Sequence, residues 1–332
     1  MSDQELLIEV KKNGMLLENA SEAQKNIKNI VLTAVCQNGV ALKFASTELK
    51  NDIDIVKAAV IKKGSALYFA SDDLKNNKEV ILLAVGKDGI ALEHTTKEFK
   101  KNRDVVLVAV KKNGLALEFA SDKLRDDEEL VLLAVSSKGK SLKFASSNLK
   151  KDKHIVEAAV KQNRLAFQFA DDNLKNDSDI ALLAIDGFGG DSVLKNVSKR
   201  LMDNRLFISD AYKVNYHILK FASDSIRGDK KFIIELFTKN HHPQLKYVSE
   251  QLKSDEDLAT LCLIKSTTSI WDISYKLLHN KEFIKKIISN EKIIKHHGVW
   301  FASRVLKSST YIVQNDEEIL NIYNSLATKK DK

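Results

Sequence analysis

The sequence predicts an all-α fold, an elongated and curved α-solenoid of about twelve 25-residue helix pairs. Glycine, alanine and phenylalanine each recur every 25 residues, which is typical of units that bury their apolar faces only against their neighbours. One proline and 12 glycines argue against an all-β chain, whose turns need more of both. The columns are Gly14, Gly39, Gly64, Gly89, Gly114 and Gly139; Ala34, Ala59, Ala84, Ala109, Ala134, Ala159 and Ala184; and Phe44, Phe69, Phe119, Phe144 and Phe169.

Each copy begins with the pattern of a short amphipathic helix. In the fifth copy, Asn102 and Asp104 supply the cap and the first-turn acid that favour a helix start. Gly114 is expected to close the helix in the left-handed conformation, which glycine adopts without strain. The apolar face of this helix is Val105, Val106, Ala109 and Val110.

The remainder of the copy predicts a second helix of about ten residues. Its apolar face is Ala116, Leu117, Ala120 and Leu124. Ser121 could instead start a fresh turn inside this segment, and the sequence leaves both arrangements open. Helices this short are unstable alone in water, so stacking on neighbouring copies must hold them. The recurrent alanines let neighbouring helix axes approach closely.

The period weakens after residue 185, which suggests four segments. Residues 1–185 are regular repeats, 186–192 a glycine-rich insertion or hinge, 193–310 divergent repeats, and 311–332 a capping helix with a basic tail. The divergent copies keep a worn motif: KFAS at 220–223, KYVS at 246–249, WDIS at 271–274 and WFAS at 300–303. In the regular part, His94 replaces the phenylalanine and Arg164 the glycine, which we interpret as drift. Capped ends favour a monomer.

Composition and motifs exclude several classes of protein. No apolar run approaches the ~18 residues of a membrane span. Cys36 and Cys262 form neither a disulfide framework nor a zinc spacing, so a reducing, cytoplasmic compartment is expected. The sequence contains no P-loop, nucleophile elbow, dinucleotide fingerprint or HExxH motif. We therefore predict no enzyme activity, no cofactor and no metal site.

The repeat unit VLxAVxxNGxALxFASxxLK resembles the family known as domain of unknown function 4116, closely over residues 5–185 and loosely over 186–310. That family has no assigned activity, so the resemblance implies a repeat fold and no catalytic residues. Its members include secreted effectors of intracellular bacterial pathogens. The resemblance therefore implies a bacterial effector that is secreted into a host cell.

The position before each phenylalanine is predicted to face outward in every copy. A solenoid presents such a column to one side, and tryptophan and basic residues are enriched at binding hot spots. The full column is Glu18, Lys43, Tyr68, Glu93, Glu118, Lys143, Gln168, Lys195, Lys220, Lys246, Trp271 and Trp300. The residues expected to bind a partner are Lys220, Lys246, Trp271, Trp300 and Tyr68. Alternatively, both tryptophans fill the core beside the last helix.

Basic charge is concentrated late in the chain. Residues 186–332 hold 24 Lys/Arg against 18 Asp/Glu, whereas residues 1–185 hold 29 against 27. A surface for nucleic acid or anionic phospholipid is therefore an alternative site, with a solvated helix face as the simpler explanation. Its candidate residues are Lys281, Lys285, Lys286, Lys292, Lys295 and Arg304.

Three functional hypotheses follow. The leading one is a non-enzymatic repeat scaffold that binds a partner protein along its repeated face. The second is the basic surface, whose affinity for a phosphate-bearing partner would fall steeply with salt. The third is an enzyme with a site assembled across repeats, which would need a pocket with perturbed titratable groups.

Overall fold

The computed structural model describes residues 1–186, 191–307, 309 and 314–328. Within these ranges every regular element is helical, which confirms the predicted all-α repeat solenoid. Contacts divide the chain into two compact units, Met1–Ala184 and Ile185–Lys332. Residues 187–190 of the predicted hinge and the basic tail at 329–332 lie outside the described residues.

Each copy opens with an α-helix that is ten residues long in most copies. In the fifth copy the four predicted apolar positions are fully buried. The side chain of Asn102 accepts hydrogen bonds from the N–H groups of Asp104 and Val105, at 3.1 and 3.2 Å, and so caps the helix as predicted. These helices are Asp3–Lys12, Lys28–Gln37, Ile53–Lys62, Lys78–Lys87, Arg103–Lys112, Glu128–Ser137, Lys153–Gln162, Ser178–Ile185, Arg205–Val214, Lys230–Lys239, Glu256–Lys265 and Lys281–Ile288.

The second part of a regular copy is not one ten-residue helix. Gly114–Phe119 is a 3-10 helix, Ala120 is extended, and a separate short helix, Asp122–Arg125, follows Ser121. The alternative with a fresh turn at Ser121 is therefore the correct one. The other 3-10 helices are Gly14–Asn19, Gly39–Phe44, Gly64–Phe69, Gly89–His94, Gly139–Phe144 and Arg164–Phe169, and the other short elements are Gln24–Asn26, Leu49–Asn51, Leu74–Asn76, Lys97–Lys101, Leu149–Lys151 and Asp172–Lys175.

The break in this segment comes from a serine that clamps neighbouring copies together. The N–H of Ser46 donates to the carbonyl of Lys25 in the preceding copy, at 3.0 Å. Its hydroxyl donates to Oδ1 of Asn26, at 2.6 Å, and accepts from the N–H of Leu49, at 3.2 Å. Equivalent backbone bonds join Ser71 to Lys50, Ser121 to Lys100, Ser146 to Arg125, Ser223 to Met202, Ser249 to Arg227 and Ser274 to Lys253.

The repeated glycines serve close packing between copies rather than left-handed helix closure. Among the described residues a positive φ occurs at Gly298, so the predicted left-handed conformation of Gly114 is wrong. The helix ends instead at the extended Asn113. A Cβ atom on Gly114 would lie closer than 3.0 Å to the carbonyl oxygen of Ala134 in the next copy. The other glycines of the column approach the alanine 20 residues later in the same way.

The second unit repeats this plan with larger core side chains and a different last copy. After Lys281–Ile288, the chain forms two further α-helices, Glu291–His297 and Val299–Lys307. A final helix, Glu317–Thr328, packs against both Lys281–Ile288 and Val299–Lys307. The remaining elements are Asp191–Leu194, Lys199–Met202, Tyr216–Lys220, Asp224–Gly228, Leu245–Tyr247, Glu250–Lys253, Thr267–Asp272 and Tyr275–Leu278.

Candidate binding surface

The predicted outward column lies on the surface in both units. All twelve of its members are exposed, from Glu18 to Trp300. Trp271 is 62% exposed and Trp300 is 52% exposed, so the alternative that places both tryptophans in the core is wrong. Neighbouring side chains fill the core in their place, because Ile270 and Phe301 are fully buried.

In the first unit the column has mixed charge and one aromatic group. Tyr68 is 57% exposed. Its ring contacts Phe69 and His94 edge to face, with centroids 5.1 and 5.2 Å apart. The ammonium of Lys75 lies 5.8 Å from the centroid of the same ring. Tyr68 thus belongs to a local aromatic cluster in the first unit, whereas the other four predicted binding residues belong to the second.

In the second unit an arginine joins the two tryptophans. The guanidinium carbon of Arg304 lies 4.8 Å from the ring centroid of Trp271 and 5.4 Å from that of Trp300. Cation–π contacts of this kind contribute about 0.5–1 kcal/mol at exposed sites. They hold both indoles in place, which lowers the entropy that a binding partner must overcome. We name this Trp271–Arg304–Trp300 group the aromatic clamp.

The sequence analysis assigned Arg304 to the basic surface and missed its place in the clamp. The signal was present, because Trp300 and Arg304 are four residues apart within the helix Val299–Lys307. Side chains at that spacing are neighbours on a helix surface. The contact with Trp271 connects positions 33 residues apart, which the spacing within one helix does not reveal.

Two cavities lie beside the aromatic clamp and share Lys307. The first has a volume of about 390 Å³ and the second about 320 Å³. Ile270, Trp271, Leu278, Arg304 and Lys307 line the first, and Ser303, Leu306, Lys307, Gln314, Leu320 and Tyr323 line the second. Their combined lining contains two cations and no carboxylate, so the cavities favour a ligand with negative charge.

The two lysines of the column have different surroundings. Lys220 donates to a carboxylate oxygen of Asp191, at 2.8 Å, and this bond raises the pKa of Lys220. Lys246 lies over the ring of Tyr247, 5.7 Å from its centroid. Burial raises the pKa of Asp272, and the positive charges of Lys246 and Lys253 oppose that shift. Lys246 is therefore the column lysine whose charge reaches the copy that carries Trp271.

The predicted basic surface is partly neutralised by ion pairs. Lys281 pairs with Asp316 at 2.8 Å, Lys286 pairs with Glu256 at 3.7 Å, and Lys285 lies against two glutamates. Lys292 and Lys295 are exposed on the helix Glu291–His297. The six residues thus form no single patch of uncompensated charge.

Buried and metal-binding groups add little chemistry within the described ranges. Burial raises the pKa of the Cys262 thiol to about 12, so this thiol stays protonated at neutral pH. Nε2 of His297 lies 2.7 Å from the carbonyl oxygen of Leu263. In the part of the chain that the structure describes, no three His, Cys, Asp or Glu residues are arranged to hold a metal ion. In the same part, no helix is long and apolar enough to cross a bilayer.

The fold and this surface define an all-α repeat scaffold with an exposed column of aromatic and basic residues. The family model described as Domain of unknown function (DUF4116) matches residues 27–75, 54–100, 77–125, 102–150, 127–175, 152–202 and 204–253. These matches cover more than half of the chain, which therefore belongs to that family. No curated protein and no solved structure matches the chain.

Proposed function

We propose that this chain is a non-enzymatic scaffold that binds a partner protein through the second unit's part of the column. The central observation is the aromatic clamp, in which both tryptophans of the protein are exposed and held by one arginine. Lys246 and Lys220 lie in the same column two and three copies before Trp300. Tyr68 would serve as a separate contact on the first unit.

The energetic reason is the apolar surface that the clamp leaves in water. A tryptophan buries roughly 200 Å² in a core or an interface. Covering the exposed half of each indole would remove about 100 Å² from water, or ~2.5 kcal/mol per ring. Two such rings around an arginine provide the composition of a hot spot, since tryptophan and arginine are the residues most enriched there.

The repeats support this role by holding the column in register. Serine bonds join neighbouring copies, and first helices pack on the 3-10 helices beside them. A surface held this way changes little on binding and needs little ordering. The family context also supports a bacterial effector that acts in the reducing cytoplasm of a host cell, where the partner would be a host protein.

The test is capture of partners from a eukaryotic cell lysate at low and at high salt. We expect the wild-type chain to retain a specific protein at both salt concentrations, and the Trp271→Ala/Trp300→Ala variant to lose it. Leu206→Ala is the matched control, since Leu206 is 79% exposed in the same unit but lies outside the column. Its capture should equal that of the wild type.

Other outcomes would contradict the proposal. Retention of nucleic acid or lipid alone, removed by salt and unaffected by the tryptophan substitutions, would place the site on the basic surface instead. The double variant should keep the wild-type melting temperature, because both side chains are largely exposed. A large drop in that temperature would mean that the loss of capture reflects unfolding.

A further inference from the structure

We propose that the two cavities beside the aromatic clamp bind an acidic segment of the partner, with one Asp or Glu side chain held between two large apolar side chains. This inference rests on the proposed function and names the chemistry of its partner. Lys307 lines both cavities, so it is the cation that such a carboxylate would meet.

The first cavity has the walls of an apolar side-chain pocket. Ile270 is buried, Leu278 is half-buried, and the ring of Trp271 is exposed at the edge. A volume of about 390 Å³ lies at the lower end of the range of small ligand pockets, which suits a side chain better than a whole cofactor. Leucine, methionine or phenylalanine would each fit its chemistry.

The second cavity is also partly apolar, with Leu306, Leu320 and Tyr323 in its lining. Ser303 and Gln314 add groups that can hydrogen-bond to a peptide backbone. Because the two cavities adjoin the same lysine, one short segment can place an apolar side chain in each. The residue between them then lies over Lys307.

The charges of the lining select the sign of that central residue. Arg304 and Lys307 are the charged residues of both linings. A carboxylate would form charge-assisted hydrogen bonds there, which are roughly twice as strong as neutral ones. A lysine or arginine at the same place would meet like charge, which costs several kcal/mol at an interface.

Nucleic acid is a poorer fit for the same surface. Sequence-tolerant binding of single strands relies on bases that stack on open aromatic rings. In the clamp, the guanidinium of Arg304 already covers a face of Trp271 and of Trp300. The remaining space is the pair of partly apolar cavities, which accept side chains rather than stacked bases.

Selection from a displayed library of random 12-residue peptides on the immobilised full chain tests this inference. We expect the selected peptides to share an Asp or Glu with a large apolar residue on either side. Their affinity can be measured by intrinsic fluorescence, because both tryptophans of the chain lie in the clamp. Replacing the acidic residue of a selected peptide by its amide should weaken binding at least tenfold.

A matched pair of protein variants locates the charge. Lys307→Gln should weaken the acidic peptide at least fivefold while leaving its amide analogue unchanged. Lys292→Gln removes an exposed lysine that lines neither cavity and should change neither peptide. Equal affinity of the acid and amide peptides, selection of peptides without acids, or no selected peptide would overturn the inference.

The inference and the proposed function can fail separately. Tryptophan-dependent capture from lysate, together with no preference for acidic peptides, would reject the acidic segment and leave the protein-binding column in place. Loss of the tryptophan dependence in both experiments would reject the column itself.

Discussion

The regular and the divergent units solve the same packing problem differently. In the fifth copy, Gly114 meets Ala134 of the next helix at a distance that no side chain on Gly114 would allow. In the second unit, Tyr216 follows the cap Asn215 as Gly114 follows Asn113, and Leu236 occupies the position of the alanine. The small glycine–alanine pair is therefore replaced at both positions together.

This difference shows where the chain gains freedom to carry function. Once the glycine–alanine contact is absent, larger side chains occupy the helix face that valine and alanine occupy in the regular copies. The buried aromatic residues of these second-unit helices are Phe207, Tyr212, Phe232, Phe237 and Phe283. The exposed column changes as well, from mixed charges to lysines and tryptophans. The regular copies conserve stacking, and the divergent copies present the candidate binding surface.

The largest expected effect is at the glycine contact itself. Gly114→Ala would force backbone apart from backbone, and overpacking of this kind costs about 1–3 kcal/mol. Gly86→Ala is the control within a regular copy, because a Cβ atom there meets its nearest neighbour at 3.9 Å. Since Gly86 lies inside a helix, this change should stabilise the fold by up to ~1 kcal/mol. Urea unfolding of both variants gives the two free energies.

The signs of these two effects test the explanation of the glycine column. Opposite signs are expected because one glycine is required by contact and the other is not. If Gly114→Ala proves as harmless as Gly86→Ala, close approach is not the reason for the repeated glycine.

A smaller effect is expected at the serine clamp. Ser46→Ala removes a helix cap and a bond to Asn26, at a cost of about 1 kcal/mol. Ser121→Ala should be neutral or stabilising, since the hydroxyl of Ser121 is buried without a hydrogen-bond partner. Lys101 occupies the position from which Asn26 serves Ser46, so Lys101→Asn should supply an acceptor and stabilise the fold by up to ~1 kcal/mol.

Thermal unfolding of these three variants separates the clamp from the general cost of losing a hydroxyl. A double variant, Lys101→Asn/Ser121→Ala, should lose the stabilisation that Lys101→Asn gives alone. Equal melting temperatures for Ser46→Ala and Ser121→Ala would show that the inter-copy hydroxyl bond contributes nothing.

The smallest effect concerns pH and the break at His94. Burial lowers the pKa of His94 below its ordinary value of 6.5, with Lys75 and Lys100 adding to the shift and Glu93 and Asp88 opposing it. Below pH 6.5 the unfolded chain therefore binds more protons at this residue than the folded chain, and stability falls as the pH falls. His94→Phe should remove this slope and leave stability above pH 7 free of it.

Unfolding in urea between pH 5 and pH 8 measures that slope. His154→Phe is the comparison, because it removes a histidine from a helix of the same unit for which no replacement of the repeat phenylalanine is involved. An unchanged slope in His94→Phe would assign the pH dependence to other groups.

Features that depend on local spacing were predictable, and features that depend on contacts between copies were not. The first-helix face, the cap at Asn102 and the exposed column follow from helical periodicity and from the 25-residue repeat. The broken second helix follows from the bond of Ser121 to Lys100, 21 residues earlier. The role of Gly114 depends on a carbonyl 20 residues later, and the clamp joins Trp271 to Arg304.

Site-specific photo-crosslinking tests the binding column most directly. A Trp271→p-benzoylphenylalanine variant, irradiated in host-cell lysate at high salt, should form one discrete crosslinked product with a protein. The same substitution at Leu206 should form none, because that exposed residue lies outside the column. Equal crosslinking from both positions, or none from Trp271, would contradict the claim that this column binds a partner protein.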